Sequence, residues 1–377
     1  MPLLWGHGLN SWMLCNNISA NIKSDSIEKN SSIDWATIEL ATGAEVRKRW
    51  QQTLEGMMAY RHHPYRRQLD EKPCVLQIET ARLLDYGGEG EVVFFIPSLI
   101  NRYYVLDLME EQSLLRWLVA QGFHIYVVDW GQSLPHMNLD ACILGILKPM
   151  LDFLNNHHGG RLVNIAGYCM GGVLSLALAQ LFPQQIKKMA LLATPWDFKP
   201  TMAAESSVCL YRMAALFYSF HRPIIKELGY VPIDILQMMF ASSDLFAIWR
   251  KFRHFAEIDS TSEEAKAFVA LEDWLNDGVS LPLSVAEVTF YDWFGENITV
   301  KGQWRVNDVV INPAAIEQPC LIQVADKDKI VLPASSLALA QLMPKGELHH
   351  VGLGHIGLVT SRRAPELAWQ KLAQWFA

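Results

Sequence analysis

The sequence predicts an α/β protein with a doubly wound, mostly parallel sheet and an inserted helical cap. Short apolar runs typical of buried strands alternate with helical stretches between about residues 75 and 196. The alternation stops for more than a hundred residues and resumes near residue 315. We therefore divide the chain into an N-terminal extension (1–70), a core (71–196 and 315–377) and a cap (197–314).

The elements follow from local patterns, taken in chain order. The extension begins with polar, Asn/Ser-rich sequence and then indicates a helix over Ala44–Ala59. In the core, apolar and β-branched runs predict strands, and Ala/Leu-rich or amphipathic stretches predict helices. The predicted strands are Val75–Ile78, Val92–Ile96, Ile125–Asp129, Leu162–Ala166, Met189–Ala193, Cys320–Val324 and Leu348–Val351. The predicted helices are Gln112–Gln121, Ala141–Asn155, Val173–Leu181, Leu337–Leu342 and Glu366–Phe376.

The predicted cap is rich in aromatic residues and methionine and has no clear strand rhythm. An insertion this late in a parallel sheet lies near the carboxyl ends of the strands, where ligands bind. It is therefore expected to roof the site and to exclude water. Aromatic residues such as Trp274, Phe290, Trp293 and Phe294 equally fit an oligomer contact or plain scaffold, and the two uses are compatible.

Composition excludes several classes of protein. With 377 residues, 51% of them hydrophobic, the chain can bury a large core. A net charge of -7 and the lack of a basic run argue against nucleic-acid binding. Residues 1–14 lack the features of a secretory signal, and Lys148 and Asp152 interrupt the apolar stretch 141–154. We expect a soluble, cytoplasmic protein.

The six cysteines show neither Cys-x-x-Cys spacing nor the density of a disulfide scaffold. We expect no bound metal, no structural disulfide and no cofactor. Cys169 stands apart from the others because it lies in Gly167-Tyr168-Cys169-Met170-Gly171-Gly172, between a predicted strand and a predicted helix. In such a Gly-x-Cys-x-Gly turn the middle side chain is exposed above the sheet.

Cys169 is the predicted nucleophile. The helix that follows directs its free N–H groups and the positive end of its dipole toward the sulfur, which favours the thiolate. The backbone N–H of Met170 is a predicted donor to an oxyanion. The alternative is a buried structural cysteine, the commonest use of a free cysteine.

The acid and the base follow the nucleophile in the chain, in the order found in α/β-hydrolases. Asp328 lies in the loop after the strand Cys320–Val324, far enough past its end to point over the site, and we prefer it to Asp326, which suits a turn. His355 lies in the Gly-rich loop 352–357 and is the predicted general base. His349 and His350 are assigned to the preceding strand.

A second oxyanion donor is expected in the loop Ile96–Asn101, from the backbone N–H near Leu99 or Ile100. Asp129 ends a strand and Asp107 precedes a helical stretch, positions where aspartate more often caps an element or holds a loop. We assign Asp129 a structural role.

Together these segments resemble poly(3-hydroxyalkanoate) synthases, most closely the short catalytic subunit of the class III type, over about residues 75–377. In one position the sequence departs from that family, since Lys329 stands where synthases usually have histidine. The segments that carry the resemblance are Leu99–Leu108, Leu118–Phe123, Val128–Gly131, Gly167–Gly172, Phe268–Asp277, Pro333–Ser336 and Gly354–Gly357.

The resemblance implies an α/β-hydrolase fold and the triad Cys169, Asp328 and His355. It also implies a reaction in which 3-hydroxyacyl-CoA acylates Cys169, releases CoA and extends a polyester. At least a dimer, a possible second synthase subunit and association with polyester granules are implied as well. Two other functions stay open: a cysteine-dependent hydrolase of esters, thioesters or lactones, and a scaffold or granule-associated protein with an idle site.

Overall fold

The fold is described from a computed structural model, in which residues 35–132, 137–199, 205–241 and 246–377 are described. The chain forms two compact units, Met1–Gln51 and Gln52–Ala377. The described part of the first unit belongs to one long helix, Trp35–His62, which contains the predicted helix Ala44–Ala59 and continues into the second unit. The polar start of the predicted extension lies outside the described residues.

The second unit is built on an eight-stranded sheet in the order β1-β2-β4-β3-β5-β6-β7-β8. Its pairs are parallel from β4 to β8, and β2 runs antiparallel to both β1 and β4. The prediction of a doubly wound, mostly parallel sheet is therefore confirmed. The strands are β1 (Cys74–Ile78), β2 (Ala81–Gly87), β3 (Val92–Ile96), β4 (His124–Asp129), β5 (Val163–Tyr168), β6 (Ile186–Leu192), β7 (Cys320–Ala325) and β8 (Gly346–Val351).

Strand β2 is the one that the sequence did not predict. Charged residues interrupt its apolar pattern, but its pairing with β4 uses one of those charges. Arg82 lies opposite Asp129 in the register, and its guanidinium contacts the Asp129 carboxylate at 2.7 Å. The other oxygen of that carboxylate accepts the N–H of Gly131 at 3.0 Å. Asp129 therefore joins two strands and the turn that follows.

Helices cover both faces of the sheet. Alternate residues of the central strands enter opposite hydrophobic cores: Phe94 and Ile165 belong to one, Phe95 and Ala166 to the other. The helices are α1 (Trp35–His62), α2 (Leu114–Ala120), α3 (Lys148–His157), α4 (Met170–Leu181), α5 (Glu205–Leu228), α6 (Ile233–Ala241), α7 (Ala247–Phe255), α8 (Glu263–Asn276), α9 (Leu283–Ala286), α10 (Pro333–Leu342), α11 (Gly357–Thr360) and α12 (Gln370–Phe376).

Shorter elements complete the unit. π-Helical segments precede or follow helices at Ala141–Leu147, Glu287–Trp293 and Pro365–Trp369. 3₁₀ turns lie at Tyr103–Leu106, Pro183–Gln185 and Pro313–Ala315. Small antiparallel pairs join Asp107–Met109 to Gln112–Ser113, Tyr230–Val231 to Leu281–Pro282, and Arg305–Val306 to Val309–Val310. Within the described ranges, no helix is both long and apolar enough to span a membrane.

Candidate active site

The predicted nucleophile lies at the junction of β5 and α4. Strand β5 ends at Tyr168 and the helix begins at Met170, so Cys169 forms the turn between them. Its backbone has φ 55° and ψ -126°, a strained conformation for a residue with a side chain. Its N–H donates to Leu192 O at 2.9 Å, and its carbonyl accepts the N–H of Gly172 at 3.0 Å. Main-chain contacts therefore impose this turn.

Glycines let the surrounding backbone approach the turn. A Cβ on Gly171 would lie 2.0 Å from Ile96 O, at the end of β3, and 2.6 Å from Pro97 O. A Cβ on Gly172 would lie 1.9 Å from the hydroxyl oxygen of Thr194. Both distances are far below van der Waals contact, so a side chain at either position would displace the turn that carries Cys169.

The structure brings the predicted acid and base together. Asp328 Oδ2 accepts a hydrogen bond of 2.6 Å from Nδ1 of His355. Asp328 Oδ1 accepts the backbone N–H groups of Ile330 and Val331 at 2.8 and 2.9 Å, which fixes the carboxylate. The side chains of Asp328 and His355 are only 1% and 7% exposed. The pair is thus held in a place where water competes little for it.

The other acid and base candidates lie elsewhere. Asp326 is exposed and contacts His350 at 2.7 Å, also on the surface. His349 faces the side-chain amide of Gln323 at 3.2 Å. Lys329 is exposed. None of these four side chains is among those that line the cavity at Cys169.

Cys169 and His355 are the predicted nucleophile and the predicted base of the site. Both side chains line the same cavity, and the sulfur is one of the groups that raise the pKa of the imidazole. Burial lowers the pKa of His355, but the charges of Asp328 and Cys169 and their hydrogen bonds outweigh it and raise that pKa well above its ordinary value. The arrangement therefore favours the protonated form of the His355 imidazole.

Tyr168, the residue before the nucleophile, ties β5 to the loop of the base. Its buried hydroxyl donates to the backbone carbonyl of His355 at 3.2 Å. The two rings lie with centroids 5.2 Å apart at an angle of 33°. No local sequence pattern predicts this role, since a tyrosine in a strand ordinarily indicates packing alone.

The two predicted oxyanion donors differ in their surroundings. Met170 is the first residue of α4, so its N–H has no acceptor within the helix and stays available. The N–H of Ile100 donates to the hydroxyl oxygen of Ser98 at 3.2 Å. In this structure the Ile100 N–H is therefore already engaged by Ser98.

A cavity of about 500 Å³ opens above Cys169. Its walls are mainly apolar, and much of the lining comes from the region 197–314. Ring contacts hold these walls together, among them Phe198 stacked on Trp293 with centroids 5.9 Å apart and Tyr211 packed on Phe294 at 4.8 Å. The aromatic lining residues are Phe198, Tyr211, Trp274, Phe290, Trp293 and Phe294, together with Tyr168 of the core.

One ion pair interrupts the apolar lining. Lys251 on α7 contacts both carboxylate oxygens of Glu272 on α8, at 2.8 and 2.7 Å. The Glu272 side chain is 6% exposed, and burial raises its pKa while the charge of Lys251 opposes that rise. A second cavity of about 440 Å³, lined by residues such as Asp140, Ser284 and Glu287, contains none of the predicted site residues.

The structure describes four cysteine side chains, and none of them is in a disulfide. Cys74, Cys142, Cys169 and Cys320 are free thiols; Cys142 and Cys320 are buried, whereas Cys169 is partly exposed. Cys15 lies outside the described residues, as does the side chain of Cys209. Across the part of the chain that the structure describes, no group of three or more His, Cys, Asp or Glu side chains is placed to hold a metal ion.

Known proteins support the fold and the resemblance. The family described as alpha/beta hydrolase fold matches residues 91–226. With the strand order and the nucleophile turn, this match shows that the chain has an α/β-hydrolase fold with a mostly parallel, doubly wound sheet, as predicted.

Curated relatives carry the name poly(3-hydroxyalkanoate) polymerase subunit PhaC. The protein from Haloferax mediterranei is 28% identical over 308 residues, covering 78% of this chain and 61% of the relative. The one from Haloarcula marismortui is 25% identical, covering 78% and 62%. The one from Synechocystis is 26% identical, covering 76% and 77%. The chain thus spans about three fifths of the first two relatives, and the predicted resemblance to the synthases is confirmed.

Proposed function

We propose that this chain, similar to poly(3-hydroxyalkanoate) polymerase subunits, is an acyltransferase that polymerises 3-hydroxyacyl-CoA through a covalent thioester on Cys169. One observation carries the proposal: a cysteine, rather than serine, occupies the nucleophile turn beside the buried pair His355 and Asp328. Sulfur suits this reaction because exchange between two thioesters is nearly balanced, so the acyl group keeps its potential for transfer.

In the first step the Cys169 sulfur attacks the thioester carbon of the substrate, and the carbonyl electron pair moves onto oxygen. The tetrahedral intermediate collapses, the bond to the CoA sulfur breaks, and His355 gives its proton to the leaving thiolate. The raised pKa of His355 matches this duty, since it keeps a proton on the imidazole.

In the second step the hydroxyl of another acyl unit attacks the thioester on Cys169. Acylation removes the charge of the sulfur, which is one of the influences that raise the pKa of His355. The imidazole therefore becomes a better acceptor for the proton of the attacking hydroxyl. Asp328 holds Nδ1 at 2.6 Å, which keeps the other ring nitrogen directed at the sulfur and the acceptor. Neither step requires a metal or a separate cofactor.

Transfer to a hydroxyl instead of to water requires a dry site. We assign that task to residues 197–314 as a cap over the core segments 71–196 and 315–377, with residues 1–70 as an extension. The aromatic side chains that this region contributes to the cavity support the assignment. Their apolar surface excludes water from the acyl-enzyme and accommodates an aliphatic polyester.

The proposal extends to partners and location. Because the relatives are named as subunits, we infer that a second synthase subunit assists this chain. We also propose at least a homodimer and an association with the surface of polyester granules in the cytoplasm. Exposed apolar side chains on α5, such as Leu216, Phe220 and Ile224, are compatible with such contacts.

The test is incubation of the purified chain, alone and with a candidate partner subunit, with 3-hydroxybutyryl-CoA. We expect CoA release, an acyl adduct on the Cys169 peptide in mass spectrometry, and insoluble polyester. The variant Cys169→Ala should abolish all three. No adduct and no CoA release from the unmodified chain would refute acyl transfer, whereas free 3-hydroxy acid without oligomer would replace the synthase by a cysteine hydrolase.

A further inference from the structure

We propose that the hydroxyl of Ser98 is an oxyanion donor and thus a further catalytic group of this site. The inference rests on the proposed function, since it concerns the carbonyl oxygen that becomes negative when Cys169 is acylated. Two observations lead to it: the predicted donor Ile100 N–H is engaged by Ser98, and Ser98 itself lines the cavity together with Cys169 and His355.

The position of the loop Pro97–Ser98 next to the nucleophile turn is fixed from two sides. A Cβ on Gly171 would lie 2.6 Å from Pro97 O, so this part of the loop directly abuts the turn. The same carbonyl accepts the indole N–H of Trp130 at 3.1 Å. Ser98 therefore follows a peptide that is held against the residues after Cys169, on the side of the sheet where this fold places its second oxyanion donor.

The hydrogen bonds of Ser98 leave its own proton free. Its oxygen accepts the N–H of Ile100 at 3.2 Å. Among contacts within the described ranges, the hydroxyl donates to no protein atom, although Ser98 is buried. A buried hydroxyl with an unused proton beside a nucleophile is suited to a ligand oxygen.

Acceptance of the Ile100 N–H strengthens the proposed donor. A hydroxyl that accepts one hydrogen bond becomes more polarised and donates a second one more strongly. Ile100 N–H, the Ser98 hydroxyl and the oxyanion would then form a short chain, with Met170 N–H as the other donor. During attack the carbonyl electron pair moves onto oxygen, both donors stabilise that charge, and the proton of Ser98 stays on Ser98.

The test compares two reactions of the same sulfur in the full chain. Acylation by 3-hydroxybutyryl-CoA passes through an oxyanion, whereas alkylation by iodoacetamide does not. For Ser98→Ala we expect the single-turnover acylation rate of Cys169, followed by quenched mass spectrometry, to fall by about 10²–10³-fold. The alkylation rate of Cys169 should stay within about twofold of that of the unmodified chain, because the Cys169–His355 pair is untouched.

Ser284→Ala is the matched control. This substitution also removes one hydrogen bond of a serine hydroxyl, to Met137 O at 2.7 Å, but Ser284 lies at the other cavity. It should acylate normally. Ser98→Cys, which fills the same space with a weak donor, covers the case in which Ser98→Ala does not fold, and its acylation should fall at least about tenfold. Normal acylation of a folded Ser98 variant overturns the inference, since Ile100 N–H then suffices. If the unmodified chain forms no adduct, the proposed function itself has failed.

Discussion

The hydroxyl of Tyr168 donates a hydrogen bond of 3.2 Å to the backbone carbonyl of His355. The two residues are 187 positions apart, one beside the nucleophile on β5 and the other in the loop after β8. This contact directly links strand β5, which leads into the turn of Cys169, to the loop that carries the predicted base. It also satisfies the buried backbone carbonyl of His355, which would otherwise lack a hydrogen-bond donor.

Tyr168→Phe should therefore leave His355, the predicted base, less firmly positioned. We expect the free energy of unfolding to fall by about 1–3 kcal/mol, because a buried carbonyl loses its partner, and CoA release to slow by about tenfold. Urea denaturation and steady-state kinetics measure the two effects. Tyr86→Phe, which removes a hydroxyl bonded to Asp107 at 2.8 Å outside the site, should cost stability without slowing CoA release. Equal rates of CoA release for Tyr168→Phe and the unmodified chain would show that the hydrogen bond from Tyr168 to His355 is merely structural.

Asp328→Asn should nearly abolish turnover while the chain stays folded. The amide retains an oxygen for the N–H groups of Ile330 and Val331, but it cannot stabilise an imidazolium. We expect a loss of about 10³-fold or more in CoA release. Asp326→Asn is the control, since that exposed carboxylate contacts only His350 on the surface. A full loss of activity in Asp326→Asn with an active Asp328→Asn would reverse our assignment of the acid.

Removal of the sulfur should lower the pKa of His355. The charge and hydrogen bond of Cys169 contribute to raising that pKa, so Cys169→Ala should move it toward more acidic values. In the unmodified chain the imidazole keeps its proton above the ordinary pKa of about 6.5 and loses it only as the pH rises through the raised value. Titration of the histidine NMR signals, assigned with His355→Gln, measures the shift. An unchanged or higher value in Cys169→Ala would show that the sulfur does not raise the pKa of His355.

Lys251→Met should destabilise the chain in a pH-dependent manner. The pKa of Glu272 in the folded chain is raised by burial, so its favourable contribution is complete at low pH and is lost as the pH rises through the folded pKa. Without Lys251 this folded pKa rises further. The variant should therefore lose about 1–3 kcal/mol at pH 8 and much less near pH 5, in urea denaturation.

Lys266→Met provides the comparison for that experiment. Lys266 pairs with Glu263 on the exposed surface of α8, where an ion pair contributes little. The stability of Lys266→Met should match that of the unmodified chain at both pH values. A uniform loss for Lys251→Met across this range would mean that the packing of the lysine stem, and not the buried carboxylate, accounts for the effect.

Local sequence patterns predicted those parts of the fold that depend on local order. Strand β3 was predicted with its observed bounds, Val92–Ile96, because five consecutive apolar residues are buried on both faces. Strand β2 was not predicted because its stability comes from pairing across the sheet. This pairing includes the contact of Arg82 with Asp129, which no local pattern reveals.

In the candidate site, too, residues with a local sequence pattern were predicted, and residues that depend on distant contacts were not. Turn geometry and chain order led to Cys169, Asp328 and His355, because a nucleophile turn and loops after strands have recognisable sequence patterns. The roles of Tyr168 and Ser98 depend on contacts between distant loops. Ser98 lies within the loop Ile96–Asn101, where a second oxyanion donor is predicted. A single hydroxyl in a loop, however, has no periodic pattern from which its partner can be inferred.

The strained backbone at Cys169 has a consequence for the choice of atom at that position. Since main-chain contacts with Leu192 and Gly172 hold the turn, its shape does not depend on which side chain it carries. Serine would fit the same turn, yet an acyl group on oxygen would rest in an ordinary ester, from which passage to another hydroxyl gains nothing. Under the proposed function, sulfur at this position keeps the acyl group available for transfer to the next hydroxyl, whereas oxygen would hold it in a stable ester.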